Sequence, residues 1–158
     1  MPLLRLLQPS DVEPVLQVYR EAVISQAAGL YTPRQIEAWA AHALRSDAVR
    51  TALLRGHGLV SCAAEAAGSI EAFALLDPID RLSLLYCRGR SSRRGHGRAL
   101  VSALEEHARR GGGSRLRTEA SQLSRPLLER LGWWVEAEET VTFAGEAFVR
   151  WRMIKDLR

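Results

Sequence analysis

The sequence predicts an α/β fold, a mixed sheet with helices on both faces in one domain spanning residues 1–158. Three observations predict it. The 158 residues, 47% apolar and 25% charged, suit one domain with a sizeable core. Strand-like and helix-like apolar periods alternate along the chain. Strand–helix–strand units call for parallel neighbours, while tight turns between adjacent strands call for antiparallel ones, so the sheet is mixed.

The elements follow in order. Residues 3–7 form a first strand, closed by Gln8-Pro9-Ser10. Ser10 and Glu13 have the spacing of a capping box, Pro14 fits a first helical turn, and Val12, Val15, Leu16, Tyr19 and Val23 recur at helical spacing. Thr32, Pro33 and Gln35 open a second helix with N-cap, first-position proline and capping box, and Ile36, Trp39, Ala40 and Ala43 mark its apolar face. A weaker helical piece covers residues 47–54. Residues 59–65 and 69–76 read as strands joined by a turn near Gly68. The apolar run at 82–87 suits a strand covered on both faces.

A Gly/Ser/Arg loop then leads to a helix carrying Leu100, Ala103, Leu104 and Ala108, stopped by Gly111-Gly112-Gly113. A strand at 115–120, a short helix at 125–131 stopped by Gly132, and strands at 133–143 and 147–154 turning near Gly145 complete the order.

Composition narrows the function. The net charge is +4, with much of the excess between Arg88 and Arg98. That suits a local phosphate site better than a long nucleic-acid face, and no aromatics alternate with the basic residues as single-strand stacking requires. No stretch approaches the roughly 18 apolar residues of a membrane span, and residues 1–7 are too few for a signal peptide's apolar region, so a cytoplasmic protein is expected. Cys62 and Cys87 lie far apart inside apolar runs, as buried reduced thiols do. They lack the paired spacing of a zinc site, and no metal is expected.

The segment Ser91-Ser92-Arg93-Arg94-Gly95-His96-Gly97-Arg98 joins a strand to an amphipathic helix. Glycines there allow close backbone approach, the first helical amides lack internal partners, and the helix dipole adds positive charge. Together these suit phosphate or pyrophosphate, with Arg93, Arg94 and Arg98 adding charge. The segment matches neither a P-loop nor a dinucleotide fingerprint.

These strings resemble the GNAT acetyltransferase superfamily. Its central motif, a strand, then Gln/Arg-x-x-Gly-x-Gly/Ala, then a helix, is met by Leu84 to Cys87, Ser92 to Gly97 and Arg98 to Val101. Its helix ending in a Tyr-Glu-Lys-Leu-Gly-Phe-like string is met by Leu127 to Trp133. Tyr31 to Ile36 and Thr118 to Ser121 resemble strings of one bacterial subgroup. The resemblance implies one central, mostly antiparallel mixed sheet of six to seven strands with about four to five helices.

It also implies acetyl-CoA as co-substrate and an amine acceptor, a small molecule or a peptide. The pyrophosphate would lie on the amides of Arg94, Gly95, His96, Gly97, Arg98 and Ala99, with Arg93 beside them. Pantetheine would run along Leu85, Tyr86 and Cys87, whose strand would supply an oxyanion donor. Ser121 is placed at the pantetheine or as a turn cap. Glu119 is the candidate general base, its other reading being a solvated strand-end carboxylate.

Two residues depart from the pattern. Ser92 replaces a long Gln or Arg that ordinarily supports the loop, with Arg93 or Arg94 as candidates to compensate. Leu128 replaces the tyrosine that protonates the departing thiolate, which points to a solvent-assisted step. Leu128 also motivates the alternative of a non-catalytic acyl-CoA-binding module. Tyr31, Trp39 and His42 are candidates for the acceptor pocket, with Trp39 also reading as core. His57 and His107 read as surface or edge residues, and His96 as a residue contributing only backbone. Of Trp133 and Trp134, one ring packs in the core and the other is a candidate interface residue, with a homodimer the assembly considered.

Overall fold

The computed structural model describes residues 2–64 and 68–158. Seven strands form one sheet: β1 (Pro2–Leu6), β2 (His57–Ala63), β3 (Ile70–Leu76), β4 (Arg81–Cys87), β5 (Arg115–Ala120), β6 (Trp134–Phe143) and β7 (Glu146–Asp156). Their order is β1-β2-β3-β4-β5-β7-β6. Every neighbouring pair is antiparallel except β4–β5. Among the described residues five α-helices cover it: α1 (Val12–Gln26), α2 (Pro33–Arg45), α3 (Asp47–Arg55), α4 (His96–Arg110) and α5 (Arg125–Arg130). Strand and helix numbers thus fall within the expected ranges. The expected strand at 59–65 reaches Glu65, which lies outside the described residues.

Two cores flank the sheet. On one face, Val15, Leu16, Tyr19 and Val23 of α1 and Trp39, Ala40 and Ala43 of α2 pack on Val60, Phe73 and Leu75. On the other, Leu100, Val101, Leu104 and Ala108 of α4 and Leu128 of α5 pack on Ala72, Ala74, Leu116 and Met153. Side chains of a strand alternate between faces, which is why β3, buried throughout, serves both cores. Each fully buried leucine contributes about 1.5–3 kcal/mol. Beside the second core, Glu105 accepts from Trp133 Nε1 (3.0 Å) and Lys155 Nζ (2.7 Å), tying α4 to the chain after α5 and to β7. Trp133 is the core ring of its pair, and Trp134 is 44% exposed.

Three local expectations change. The Thr32–Gln35 capping box forms as expected. At α1, however, the box is made by Gln8 and Asp11. Pro9–Asp11 is a single 3-10 turn, and Asp11, held by Arg5 at 2.7 and 3.0 Å, accepts from Gln8 N–H. Glu13 instead pairs with Arg50. In β4 only Leu82 is fully buried, and the rest is half-exposed because one edge of the strand lines a cleft. Cys62 is buried as expected, but Cys87, on that edge, is only half-buried.

Candidate active site

β4 and β5 are paired only at Arg81↔Arg117 and Leu82↔Thr118. Beyond these, β4 stays with β3 as far as Cys87 and β5 stays with β7 as far as Ala120. The sheet therefore splits, and a cavity of about 430 Å³ opens between Ser83–Tyr86 and Glu119–Ser121.

The register decides which backbone groups face the split. Arg88 N–H donates to Glu71 C=O at 2.8 Å, and Tyr86 sits opposite Phe73. In an antiparallel ladder such hydrogen-bonded pairs alternate with unbonded ones. Tyr86 thus turns its amide and carbonyl to β3, whereas Leu85 and Cys87 turn theirs to the split. The Cys87 carbonyl accepts from Gln26 Nε2 (2.5 Å). Tyr86 contributes its ring, which stacks on Tyr19 at 4.0 Å and accepts from Trp39 Nε1 at its hydroxyl (3.1 Å).

At the far end of β4 the chain makes a 3-10 turn, Gly89–Ser91, and passes Arg93 (φ 63°) and Gly95 (φ 88°) into α4. Ala99 N–H is bonded to Gly95 C=O at 3.0 Å. Among the described residues, no protein acceptor takes the amides of residues 93–98. Arg93, Arg94 and Arg98 are exposed, with no carboxylate in ion-pair range among the described residues. A 15-residue helix thus presents its positive end, free donors and three unpaired cations at one place, an arrangement suited to anions.

The two glycines do different work. Gly95 takes a left-handed conformation, and a Cβ there would meet nothing within 4 Å. A Cβ on Gly97 would lie 2.8 Å from Leu127 Cδ2, so Gly97 lets α5 pack closely on α4 and a larger side chain there must displace Leu127.

The loop is held from beneath by residues that lie outside the motif. Glu71 is 2% exposed and accepts from Arg90 (2.8 and 2.7 Å), Ser91 Oγ (2.6 Å) and Ser69 Oγ (2.7 Å). The Arg90 guanidinium, ahead of those hydroxyls, holds its carboxyl down at about 2 against the cost of burial. Glu21 accepts from Gly89 N–H (3.1 Å). Buttressing therefore comes from Glu71 and Arg90 on a strand and turn, and Arg93 and Arg94, the expected substitutes, remain free. One hint is visible in hindsight, since Glu71 is the one charge in an otherwise apolar strand and a buried acid needs partners. His96 contributes more than backbone. Its ring is buried, Nδ1 is 2.7 Å from Ser61 Oγ on β2, and burial holds it below the usual histidine range.

Glu119 lines the cavity beside Ser83 to Tyr86. Arg81 donates to its Oε1 from Nε (2.9 Å) and Nη2 (2.5 Å), and Oε2 has no partner among the described residues. Ser121 Oγ accepts from Leu123 N–H (3.0 Å), so it caps the turn after β5, and it also lines the cavity. Leu128 lines the cavity as well. Tyr31, Trp39 and His42 line its other end. Tyr31 hydroxyl accepts from Gln122 N–H (2.9 Å), linking the start of α2 to the loop after β5.

A family model described as an acetyltransferase (GNAT) domain matches residues 27–155. The chain belongs to the GNAT acetyltransferase family. Among solved structures similar to this GNAT chain is a GCN5-related N-acetyltransferase from Rhodopseudomonas palustris, 27% identical, with a TM-score of 0.90 over 99% of this chain and 96% of that one. PaiA N-acetyltransferase from Thermoplasma acidophilum, solved with coenzyme A, is 18% identical with a TM-score of 0.76 over 99% of each chain. YncA from Salmonella typhimurium, solved with acetyl-CoA, is 20% identical with a TM-score of 0.65 over 100% of this chain and 95% of that one. A search of curated proteins returns no match. The GNAT assignment and the split sheet agree, because a parallel pair that parts after two residues leaves one strand edge open beside the free amides of α4.

Proposed function

We propose that this GNAT protein is a cytoplasmic N-acetyltransferase that passes the acetyl group of acetyl-CoA to a primary amine by direct attack. The observation that carries it is the parting of β4 from β5 beside the unpaired amides of residues 93–98. In this reading those amides and Arg93, Arg94 and Arg98 hold the pyrophosphate. The open edge at Leu85 and Cys87 pairs with pantetheine, and Leu85 N–H faces the thioester oxygen. One preorganised donor of this kind contributes on the order of 3 kcal/mol to an oxyanion-forming step.

The amine must lose a proton before it attacks. Glu119 Oε2, the oxygen that Arg81 leaves free, is the base we assign, directly or through one water. The amine attacks the carbonyl carbon to give a tetrahedral oxyanion, which collapses with cleavage of the C–S bond. The nitrogen gives its second proton to water, and coenzyme A leaves as thiolate. Leu128 offers no proton, so water protonates it. Because Leu128 removes that donor, a binding module that holds acyl-CoA without turnover is the second reading.

Isothermal titration with acetyl-CoA tests binding, and absence of heat at millimolar ligand rejects both readings. A thiol-release assay across amines separates them, since turnover above the enzyme-free rate rejects the module. Glu119→Gln should lower kcat at least tenfold and leave acetyl-CoA affinity unchanged. An unchanged kcat removes Glu119 from the mechanism.

A further inference from the structure

Given acetyl transfer at the β4–β5 split, on which this inference rests, the far end of the cavity faces the acceptor. Six of the chain's ten Phe, Tyr and Trp residues line this one cavity. They form a continuous wall. Tyr31 meets Trp39 edge-on at 5.2 Å, Trp39 meets Phe148 at 6.0 Å, and Phe148 meets Phe143 at 5.6 Å. His42 closes the row at 4.4 Å from Phe143. Trp39 and His42 come from α2, Tyr31 from the turn before it, and Phe143 and Phe148 from the β6–β7 hairpin.

A second observation concerns charge. Apart from His42, every charged side chain lining the cavity has a counter-charge within the protein. Arg55 pairs with Asp77 (3.0 Å), Arg81 with Glu119 (2.5 Å) and Arg150 with Glu139 (2.5 Å). A second ammonium on the acceptor would find no spare carboxylate among the described residues, and an acceptor carboxylate would find no spare guanidinium. Either group would lose water without a partner. The polar atoms of the wall are also accounted for. Trp39 Nε1 donates to Tyr86 hydroxyl and Gln122 N–H donates to Tyr31 hydroxyl, while burial holds His42 below the usual histidine range. His42 is thus a neutral hydrogen-bonding group beside an aromatic surface.

We infer that the acceptor is a small arylalkyl monoamine with no second charge. Its ring lies against Phe143, Phe148 and Trp39, and its amine reaches the β4–β5 split. Aromatic rings pack edge-on or offset against such walls, and the single ammonium becomes the neutral nucleophile when Glu119 takes its proton. The amine nitrogen then bonds to the acetyl carbon, and collapse of the tetrahedral oxyanion breaks the C–S bond. The products are a neutral amide and coenzyme A.

Initial rates with 2-phenylethylamine, spermidine, phenylalanine and a peptide with an N-terminal phenylalanine test this, with acetyl-CoA binding measured in parallel. The expected kcat/KM for 2-phenylethylamine exceeds each of the others at least tenfold. Phe143→Ala should raise its KM about tenfold and leave the Kd for acetyl-CoA unchanged. A rate for spermidine, phenylalanine or the peptide equal to or above that for 2-phenylethylamine overturns the inference. So does normal acetyl-CoA binding with no turnover of 2-phenylethylamine, or a KM that Phe143→Ala leaves unmoved. Failure of acetyl-CoA itself to bind overturns the transfer reading instead.

Discussion

The two ends of the cleft solve opposite problems. At the α4 end the protein leaves polar groups unsatisfied, with six consecutive amides and three exposed arginines lacking protein partners among the described residues. Within the cavity it satisfies them, pairing Arg55, Arg81 and Arg150 with acids and lining the α2 end with rings. The difference lies in what stands behind each surface. Free donors keep their positions only on a rigid support, and Glu71, Glu21 and the His96–Ser61 contact supply it. The aromatic wall needs no such scaffold, because ring packing fixes it.

Removing the scaffold should therefore cost more than altering what it presents. Glu71→Ala removes the buried acceptor that Arg90, Ser91 and Ser69 share. The Arg90 side chain is 66% exposed and can return to water, so the cost is that of the lost hydrogen bonds to a buried acceptor, about 1–3 kcal/mol. Urea unfolding should show that loss, and acetyl-CoA affinity should fall more than tenfold. A variant of near wild-type stability would mean the loop stands without its support.

Acid should reach the same support by another route. Glu71 titrates near 2 in the folded chain against an ordinary 4.5, so the unfolded chain binds the extra proton first. Its contribution is complete above pH 4.5 and is lost as pH falls towards 2. A shift of that size corresponds to about 3 kcal/mol. The histidines, His96 buried and His42 and His57 half-buried, add an earlier, smaller limb. His42, His57 and His96 are all held below 6.5, chiefly by burial, so their contribution to stability is complete above pH 6.5 and falls as pH drops, because the unfolded chain takes up these protons first. Thermal melts from pH 8 to 3 should fall in two stages, and Glu71→Gln should shrink the lower one, leaving the part that comes from Asp11 beside Arg5 and Glu106 beside Arg109.

The glycines separate conformation from packing. Gly95→Ala places a Cβ in open space but in a left-handed conformation, at about 1–2 kcal/mol. Gly97→Ala presses on the end of a flexible leucine, and its cost should be about 1 kcal/mol or less. Leu127→Ala should restore only the second variant, a non-additivity that a double-mutant cycle measures.

Much of this arrangement is legible in the sequence, for reasons that differ along the chain. The Thr32–Gln35 box, the strand at 115–120 and the triple-glycine stop read correctly because each is fixed by neighbours within a few residues. The α1 start reads wrongly because Arg5, on another element, captures Asp11 and resets the cap. β4 reads as covered on both faces because an apolar run does not reveal that its neighbour departs after two pairs. The loop's motif is visible in Gly95 and Gly97, but its support is not. Glu71 lies about twenty residues away along the chain, and only the β3–β4 pairing brings it beneath Ser91. The aromatic wall escapes for the same reason, since α2 and the β6–β7 hairpin meet only in the folded chain.

The smallest expected effect on folding distinguishes presentation from support most sharply. Arg93, Arg94 and Arg98 are exposed and hold no carboxylate among the described residues, so replacing any one with alanine should change stability by no more than about 0.5 kcal/mol. Binding should respond differently. A cation facing a phosphate at an exposed site contributes about 0.2–1 kcal/mol, up to roughly fivefold in Kd, and that contribution is screened by salt. Titrations with coenzyme A at about 50 and 500 mM salt, which span the range over which screening sets in, should then converge for wild type and Arg94→Ala, while unfolding curves coincide throughout. If Arg94→Ala destabilises the fold as Glu71→Ala does, the arginines belong to the scaffold and the contrast between the two ends of the cleft fails. If affinity is unaffected at either salt concentration, the amides of α4 hold the phosphates without help from side chains.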